Sequence, residues 1–372
     1  MKILITGANG FIGKNLKARL HDDSGYEIDT FTRSDSVEVL PEKIRRADAI
    51  FHLAGINRPE NPEEFSTINT GLSEEICSII STENHTASIV FSSSAQVALD
   101  NPYGGSKLAA EKAFEDLART RGNAVTVFRL PGVFGKWCRP DYNSVVATFC
   151  SRTTRGESLD IHDPDKVIDL VYIDDVVDAF IDVIENQKAG FYCRQVEPVY
   201  EVSLGQLAET IWKFSQSRVN LLTDNVGSGL ERALYATYLS YMEPDQFSYP
   251  LVEHIDERGK FVEFLKTPEA GQISFFTAKP GVTRGGHYHH TKNEKFLIVK
   301  GRALFRFRHI ESGACHELSV SADSSQVVET IPGWAHDITN TGDEELIVLL
   351  WANEVFDKSA PDTIGAPLDH CR

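Results

Sequence analysis

The stretch Lys2-Ile3-Leu4-Ile5-Thr6-Gly7-Ala8-Asn9-Gly10-Phe11-Ile12-Gly13 decides the fold of the N-terminal part of this chain. An apolar strand leads into three glycines, and apolar residues then recur at helical spacing, as Phe11, Ile12, Leu16 and Leu20. In such a turn the first glycine permits the tight bend, the second lets the backbone approach a pyrophosphate, and the third lets helix and strand pack closely. The stretch therefore predicts a strand, a nucleotide-binding turn and a helix.

Strands and helices alternate up to about residue 185, whereas short strands separated by turns fill the chain beyond about residue 270. The first pattern predicts an α/β Rossmann-type doubly wound parallel sheet, and the second an all-β domain. A chain of 372 residues favours two domains. We expect the boundary within the aromatic stretch 235–250, giving domains of residues 1–246 and 247–372.

The composition excludes some partners. A net charge of −17 argues against general binding of nucleic acid or of an anionic membrane surface. No apolar run approaches the roughly 20 residues of a membrane span, and the chain opens on a strand instead of a signal peptide. The scattered cysteines indicate reduced thiols, so we expect a cytoplasmic protein. They are Cys77, Cys138, Cys150, Cys193, Cys315 and Cys371.

Ser94, Tyr103 and Lys107 form a candidate catalytic set for hydride transfer to a ketone. Tyr103 and Lys107 are one helical turn apart, and Ser94 ends the preceding predicted strand. We expect the lysine to lower the pKa of the tyrosine from about 10 and to reach the cofactor ribose, while the serine binds the substrate carbonyl. Ser92 and Ser93 remain alternatives to Ser94.

Arg33 indicates which nicotinamide cofactor binds. An NAD-binding chain usually places an acidic residue about 20 positions after the glycine turn, on the ribose 2′-hydroxyl. Here that region reads Phe31-Thr32-Arg33-Ser34, and Asp29 falls inside the predicted strand. Because a guanidinium attracts a 2′-phosphate, the sequence favours NADPH.

A second cluster, far along the chain, has the composition of a metal site. His287 and His289 alternate along a predicted strand, Glu294 follows after a turn, and His336 comes from another strand. Three imidazoles and a carboxylate suit a divalent transition metal, Zn²⁺ first among them. His290 is a competing ligand. The general base for chemistry beside the metal stays open among Tyr288, His290, Lys292 and Lys295.

Residues 1 to about 245 resemble the extended short-chain dehydrogenase/reductase family. The resemblance implies that Tyr103 is the acid, with Lys107 and Ser94 beside it, and that Arg129 and Asn143 contact a nucleotide-sugar substrate together with Ser94. The remaining residues implied to line the cofactor are Gly7, Asn9, Gly10, Phe11, Ile12, Gly13, Leu53, Ala54, Gly55, Asn69 and Pro131.

The histidine-rich region, with Pro332-Gly333-x2-His336-x3-Asn340, resembles the two motifs of the cupin family, whose fold is a jelly-roll barrel. The whole chain, with the reductase first and the cupin second, resembles the bifunctional capsular-polysaccharide enzymes of the UDP-N-acetyl-L-fucosamine pathway. This resemblance is carried by segments 102–107, 134–138, 142–145, 289–296 and 351–354.

The last resemblance implies a UDP-2-acetamido-2,6-dideoxy-4-ketohexose substrate. The cupin would invert C3, and the reductase would then reduce the C4 ketone with NADPH to give a UDP-2-acetamido-2,6-dideoxy-L-talose. We also expect a homodimer. Two alternatives stay open: an epimerase–reductase acting on a GDP- or dTDP-linked ketosugar, and a non-catalytic NADP-sensing protein. A barrel that only dimerises or binds sugar is a further alternative for the second domain.

Overall fold

The structure is a computed structural model that describes residues 1–59, 61, 64–256, 259–262, 264–267, 271–354, 357 and 359–368. The chain forms two compact units. The first unit comprises Met1–Trp137 and Ile168–Glu201. The second comprises Cys138–Val167 and Val202–Arg372. Each unit has its own hydrophobic core, and each carries one of the two predicted clusters.

The strands up to residue 203 are β1 Lys2–Thr6, β2 Glu27–Phe31, β3 Ala49–His52, β4 Ser88–Ser94, β5 Ala124–Leu130, β6 Gly132–Phe134, β7 Val167–Tyr172, β8 Gly190–Arg194 and β9 Tyr200–Ser203. The helices are α1 Phe11–His21, α2 Leu40–Arg46, α3 Gly71–Glu83, α4 Pro102–Arg121, α5 Val145–Thr154, α6 Ile173–Glu185, α7 Leu204–Asn220 and α8 Gly229–Leu239. A π-helix, Phe65–Thr70, precedes α3, and the short 3-10 helices are Val37–Val39, Ala95–Ala98, Pro244–Gln246 and Ala322–Ser324.

A six-stranded sheet in the order β2-β1-β3-β4-β5-β8 forms the centre of the first unit, and every neighbouring pair is parallel. Its central strands β3 and β4 are buried on both faces because helices cover both, and Leu4, Ile50, Phe91 and Val125 are all buried in one cluster. Helices α1 and α6 contact each other, and α2, α3 and α4 form a second layer. The predicted doubly wound parallel sheet is confirmed.

The second unit contains two five-stranded sheets, in the orders β10-β18-β15-β20-β13 and β17-β16-β19-β14-β21, and a separate hairpin. The pairs within them are antiparallel, as expected of a cupin-type barrel, and the predicted all-β architecture is confirmed. Its strands are β10 Ser248–Pro250, β11 Glu253–Asp256, β12 Gly259–Val262, β13 Gln272–Ala278, β14 Thr283–Tyr288, β15 Glu294–Lys300, β16 Arg302–His309, β17 Cys315–Ser321, β18 Gln326–Glu329, β19 Trp334–Asn340, β20 Leu346–Ala352 and β21 Ile364–Gly365.

A buried ion cluster joins the helices of the second unit to its strands. The Glu329 carboxylate on β18 accepts hydrogen bonds from Lys295 on β15 and from Arg218 on α7. Lys295 also donates to the Tyr249 hydroxyl at 3.2 Å. Burial alone would lower the pKa of Lys295, but the Glu329 charge outweighs burial and raises it. Removing Arg218 or Lys295 would leave the buried Glu329 charge with one partner fewer, which is costly. Helix α7, which carries Arg218, is therefore an integral part of this unit.

Two expectations need comment. Four cysteines are free thiols: Cys77, Cys138, Cys150 and Cys193. Cys315 is disulfide-bonded, which corrects the expectation of six reduced thiols, and Cys371 lies outside the described residues.

The aromatic stretch expected to contain the domain boundary is largely buried within the second unit, and the boundary between 246 and 247 stays a prediction. Among the described residues, no helix is both long and apolar enough to cross a bilayer.

Candidate active sites

The glycine turn after β1 has the close packing that its sequence predicts. Gly7 has φ +70°, and a Cβ built on it would lie 2.7 Å from the Ala54 backbone nitrogen. A Cβ on Gly13 would lie 2.4 Å from the Gly7 carbonyl oxygen. Since neither position tolerates a side chain, the start of α1 lies directly against the turn. No side chain caps the first backbone N–H groups of α1, which suits an anionic group.

The segment Leu53–Gly55 follows β3 and lies beside this turn. The Leu53 N–H donates to the Thr6 carbonyl oxygen at 3.2 Å. Asn69, in the π-helix, accepts from the Ile56 N–H at 2.7 Å and donates back to the Ile56 carbonyl at 3.0 Å. It also donates to the Ser106 hydroxyl at 3.1 Å. Asn69 therefore fixes the predicted cofactor-lining segment to helix α4.

Ser94, Tyr103 and Lys107 are brought together at the carboxyl end of β4. Ser94 ends β4, and Tyr103 lies in the first turn of α4, where the Ser94 side chain is close enough to act on the pKa of the Tyr103 hydroxyl. Lys107 is buried one turn further along α4 and donates to the Ser92 carbonyl oxygen at 2.9 Å. A ketone oxygen placed here can meet both hydroxyls at once.

The acid–base properties of Tyr103 and Lys107 are dominated by burial. Burial raises the pKa of Tyr103, and the side-chain interaction with Ser94 offsets only part of that rise. Burial lowers the pKa of Lys107 to about 8, although the Glu111 charge acts to raise it. The Lys107 ammonium is directed to the Ser92 carbonyl oxygen, and the expectation that Lys107 lowers the pKa of Tyr103 stays a prediction. A tyrosine with a raised pKa is protonated, as a proton donor must be.

Arg129 is engaged in an ion pair that the sequence analysis missed. Its guanidinium is bidentate on the buried Glu111 carboxylate, with a shortest distance of 2.7 Å. The Ser93 hydroxyl donates to the same carboxylate at 2.5 Å. This occupies Ser93, so the geometry favours Ser94 as the serine beside Tyr103. Glu111 lies one helical turn after Lys107, a spacing that was visible in the sequence. Substrate contact by Arg129 stays a prediction.

The other predicted residues lie as follows. Asn9 and Gly10 are exposed in the turn, Phe11 and Ile12 are half-buried at the start of α1, and Pro131 is half-buried between β5 and β6. Asn143 is exposed before α5 in the second unit. Their contacts with cofactor or substrate stay predictions.

Arg33 is exposed just after β2. The carboxylates near it are engaged elsewhere: Asp29 pairs with Lys43 at 2.6 Å, and Asp35 accepts from the Thr32 N–H at 2.7 Å. The preference for NADPH stays a prediction.

The four predicted metal ligands form one cluster between the two sheets of the barrel. One ligand atom from each of His287, His289, Glu294 and His336 lies within 4.8 Å of the others. The Glu294 carboxylate is 3.2 Å from His289 Nε2 and 3.5 Å from His336 Nε2. β14 and β19 bring the histidines together by pairing His287 with His336, while β15 of the opposite sheet begins at Glu294.

The donor set fits a divalent transition metal. Burial and the neighbouring imidazoles lower the pKa of His287 to about 3, which keeps it neutral, as a ligand must be. Burial would raise the pKa of Glu294, but the His289 and His336 side chains beside its carboxylate hold it well below its usual value. Neutral imidazoles and an ionised carboxylate are the ligands that Zn²⁺ accepts.

The four side chains considered as candidate general bases lie in different environments. Tyr288 is buried with Ala335 and Leu368, and His290 contacts the Tyr288 ring. Lys295 belongs to the ion cluster with Glu329. Lys292 lies beside the ligands, with its ammonium 3.5 Å from Glu294. His290 is not among the clustered ligand residues of the described chain.

Fold and site together define a dinucleotide-binding α/β unit followed by a β-barrel with a potential metal centre. The chain belongs to the NAD dependent epimerase/dehydratase family, whose family model matches residues 3–195. The model of the polysaccharide biosynthesis C-terminal domain matches residues 254–364.

The whole chain is similar to a UDP-2-acetamido-2,6-beta-L-arabino-hexul-4-ose reductase of Pseudomonas aeruginosa, with 52% identity over 98% of both chains. It is also similar to the crystal structure of the capsular polysaccharide assembling protein CapF of Staphylococcus aureus, with a TM-score of 0.67, 41% identity and coverage of 99% of this chain and 100% of that one. A UDP-glucose 4-epimerase of Thermotoga maritima shares the fold over 58% of this chain and 82% of its own, at 24% identity and a TM-score of 0.52.

Proposed function

We propose that this protein is a bifunctional nucleotide-sugar enzyme of capsular polysaccharide synthesis. The barrel epimerises C3 of a UDP-2-acetamido-2,6-dideoxy-4-ketohexose, and the α/β unit reduces the C4 ketone with NADPH, giving a UDP-2-acetamido-2,6-dideoxy-L-talose for the UDP-N-acetyl-L-fucosamine pathway. The observation that carries the proposal is the similarity, over nearly the full length, to a UDP-2-acetamido-2,6-beta-L-arabino-hexul-4-ose reductase. In this chain Tyr103 also lies beside Ser94, as the reduction of a ketone requires. Incubation with NADPH and a panel of UDP-, GDP- and dTDP-linked 4-ketosugars, with products identified by NMR, tests it.

In the reduction, the residues of the first unit hold the ketone and supply a proton. NADPH, when bound, supplies the hydride that adds to C4. The Ser94 and Tyr103 hydroxyls donate to the carbonyl oxygen, and the Tyr103 proton passes to that oxygen as the C–H bond forms. Asn69 orders the segment beside the glycine turn, and Lys107 is held at the end of β4 by the Ser92 carbonyl oxygen. An intact donor pair favours an enzyme over a protein that only senses NADP.

Tyr103→Phe should keep the fold and NADPH binding near those of the wild type and lower reduction by a factor on the order of 10² or more, because the proton donor is lost. Tyr192→Phe is the matched control, since Tyr192 is exposed and its hydroxyl donates to the nearby Ala189 carbonyl. Stopped-flow NADPH oxidation measures the rate. If the Tyr103 variant reduces the ketosugar within a few-fold of the wild-type rate, Tyr103 is not the acid.

We propose that Arg33 selects NADPH by pairing with its 2′-phosphate. Arg33→Ala should weaken NADPH binding much more than NADH binding, whereas Arg33→Lys, which keeps the positive charge, should retain most of the preference. Fluorescence titration of both cofactors gives the two dissociation constants. An equal loss for both cofactors would remove this explanation.

The four-ligand cluster is proposed to hold Zn²⁺ for the epimerisation. A divalent cation bound there supplies Lewis-acid polarisation of the C4 carbonyl, which makes the C3 hydrogen acidic. His287, His289, Glu294 and His336 would hold it, and all of these except the half-buried His287 are buried. The general base stays open; Lys292 is the candidate nearest the ligands.

The full chain should exchange the C3 hydrogen of the ketosugar for deuterium in D2O without NADPH, as followed by NMR. A chelator and His289→Ala should each abolish the exchange, whereas His162→Ala, a change at an exposed histidine, should not. A melting curve for each protein accompanies the assay, because metal binding is coupled to folding. Exchange at an undiminished rate in protein shown by elemental analysis to be metal-free would refute the Lewis-acid role.

We further propose a homodimer formed through β13, an edge strand of its sheet among the described strands. Ile273 and Phe275 on this strand are 59% and 71% exposed, and exposed apolar edges favour pairing with another chain. Phe275→Lys should shift sedimentation of the full chain toward the monomer, while Val282→Lys, also at an exposed valine, should not. A wild-type monomer, or an unshifted Phe275 variant, would contradict this interface.

The cytoplasmic location stays a prediction.

A further inference from the structure

The carboxylate of Asp362 holds the turn between two ligand-bearing strands. One oxygen accepts from the His290 N–H at 2.9 Å. The other accepts from the Thr291 and Lys292 N–H groups at 2.7 and 2.8 Å, and from the Thr291 hydroxyl at 3.1 Å. The turn joins β14 and its histidines to β15, which starts at Glu294. One side chain therefore fixes three successive backbone donors.

The main chain of the same residue contacts a predicted ligand directly. The Asp362 carbonyl oxygen is 2.5 Å from His289 Nδ1, so it accepts the Nδ1 proton and leaves Nε2 facing Glu294. An imidazole that donates through one nitrogen presents the lone pair of the other to a metal. Asp362 thus fixes the tautomer of His289 through its carbonyl oxygen and holds the turn after His289 through its carboxylate.

The next residues of the chain continue along β14. Ile364 and Gly365, in β21, pair with Tyr288 and His287, and the Ala366 N–H donates to the Gly286 carbonyl at 2.7 Å. Residues 362–366 therefore lie alongside the strand that carries His287 and that ends just before His289.

We propose that Asp362 is a positioning residue of the metal centre. Its carboxylate fixes the turn between β14 and β15. This attachment holds the Asp362 main chain in place, and the Asp362 carbonyl oxygen then sets the orientation of His289. The inference rests on the proposed metal-binding function of the barrel. Neither sequence motif contains Asp362, which is 73 positions from His289.

The substitutions differ in how many turn contacts they remove. Asp362→Ala removes every contact of the carboxylate. Asp362→Asn keeps one acceptor oxygen, which can rotate to accept from the Thr291 and Lys292 N–H groups. It should therefore lose fewer contacts with the turn than Asp362→Ala. Asp357→Asn is the matched control, because Asp357 is an exposed aspartate of the same C-terminal segment whose hydrogen bonds, within the described part of the chain, come from Ser359.

The full-length proteins are stripped of metal and titrated with Zn²⁺ against a chromophoric chelator, and their melting temperatures are recorded with and without Zn²⁺. We expect Asp362→Ala to weaken Zn²⁺ binding by roughly 10- to 100-fold, Asp362→Asn to weaken it less, and Asp357→Asn to match the wild type. The rise in melting temperature on adding Zn²⁺ should shrink in the same order, because it reports affinity for the folded state. If Asp362→Ala does not fold, the Asn variant carries the comparison.

The outcomes separate the two proposals. Equal loss of melting temperature with and without Zn²⁺, at unchanged Zn²⁺ affinity, would make Asp362 a purely structural residue and overturn this inference while leaving the proposed function intact. A wild-type protein that binds no Zn²⁺ would overturn the metal centre itself, and this inference with it.

Discussion

The need to pair every buried charge governs both units, since a charge removed from water without a partner is costly. Strand β15 shows the constraint most clearly. Its first residue, Glu294, faces the histidine cluster, and the next, Lys295, faces Glu329 on the other side. Side chains alternate along a strand, so a register shift of one residue would put the ammonium among the imidazoles and the carboxylate against Glu329. The register that places a ligand in the barrel is thus the same one that satisfies the ion cluster.

The features that the sequence predicts well all have local causes. The glycine turn and the helix after it depend on neighbouring residues, and the structure places β1 over Lys2–Thr6 as expected. The spacing of His287, His289 and Glu294 depends on strand alternation and one turn, so these ligands cluster with His336 as predicted. Helix α4 begins at Pro102, where Asn101 caps it through a hydrogen bond from the Gly104 N–H.

The features that the sequence does not predict arise from contacts between distant residues. Asp362 lies 72 positions after His290 in the sequence, and no local spacing marks its contact with the turn at 290–292. The pKa of Tyr103 depends on how deeply the hydroxyl is buried, and burial is a property of the folded site. Arg129 matched a motif for substrate contact, yet its first partner is Glu111, because a buried carboxylate requires a cation.

The proposed chemistry also imposes an order on the two reactions. The hydrogen at C3 is acidic only while C4 is a ketone, because the charge left by proton removal must be delocalised onto the carbonyl oxygen. Once Tyr103 has protonated that oxygen and C4 has become an alcohol, the barrel has no means to stabilise a C3 carbanion. Epimerisation must precede reduction. The epimerisation is reversible, so the stereochemistry of the product is set by which C3 epimer the Ser94–Tyr103 pair reduces faster, a discrimination by transition-state binding.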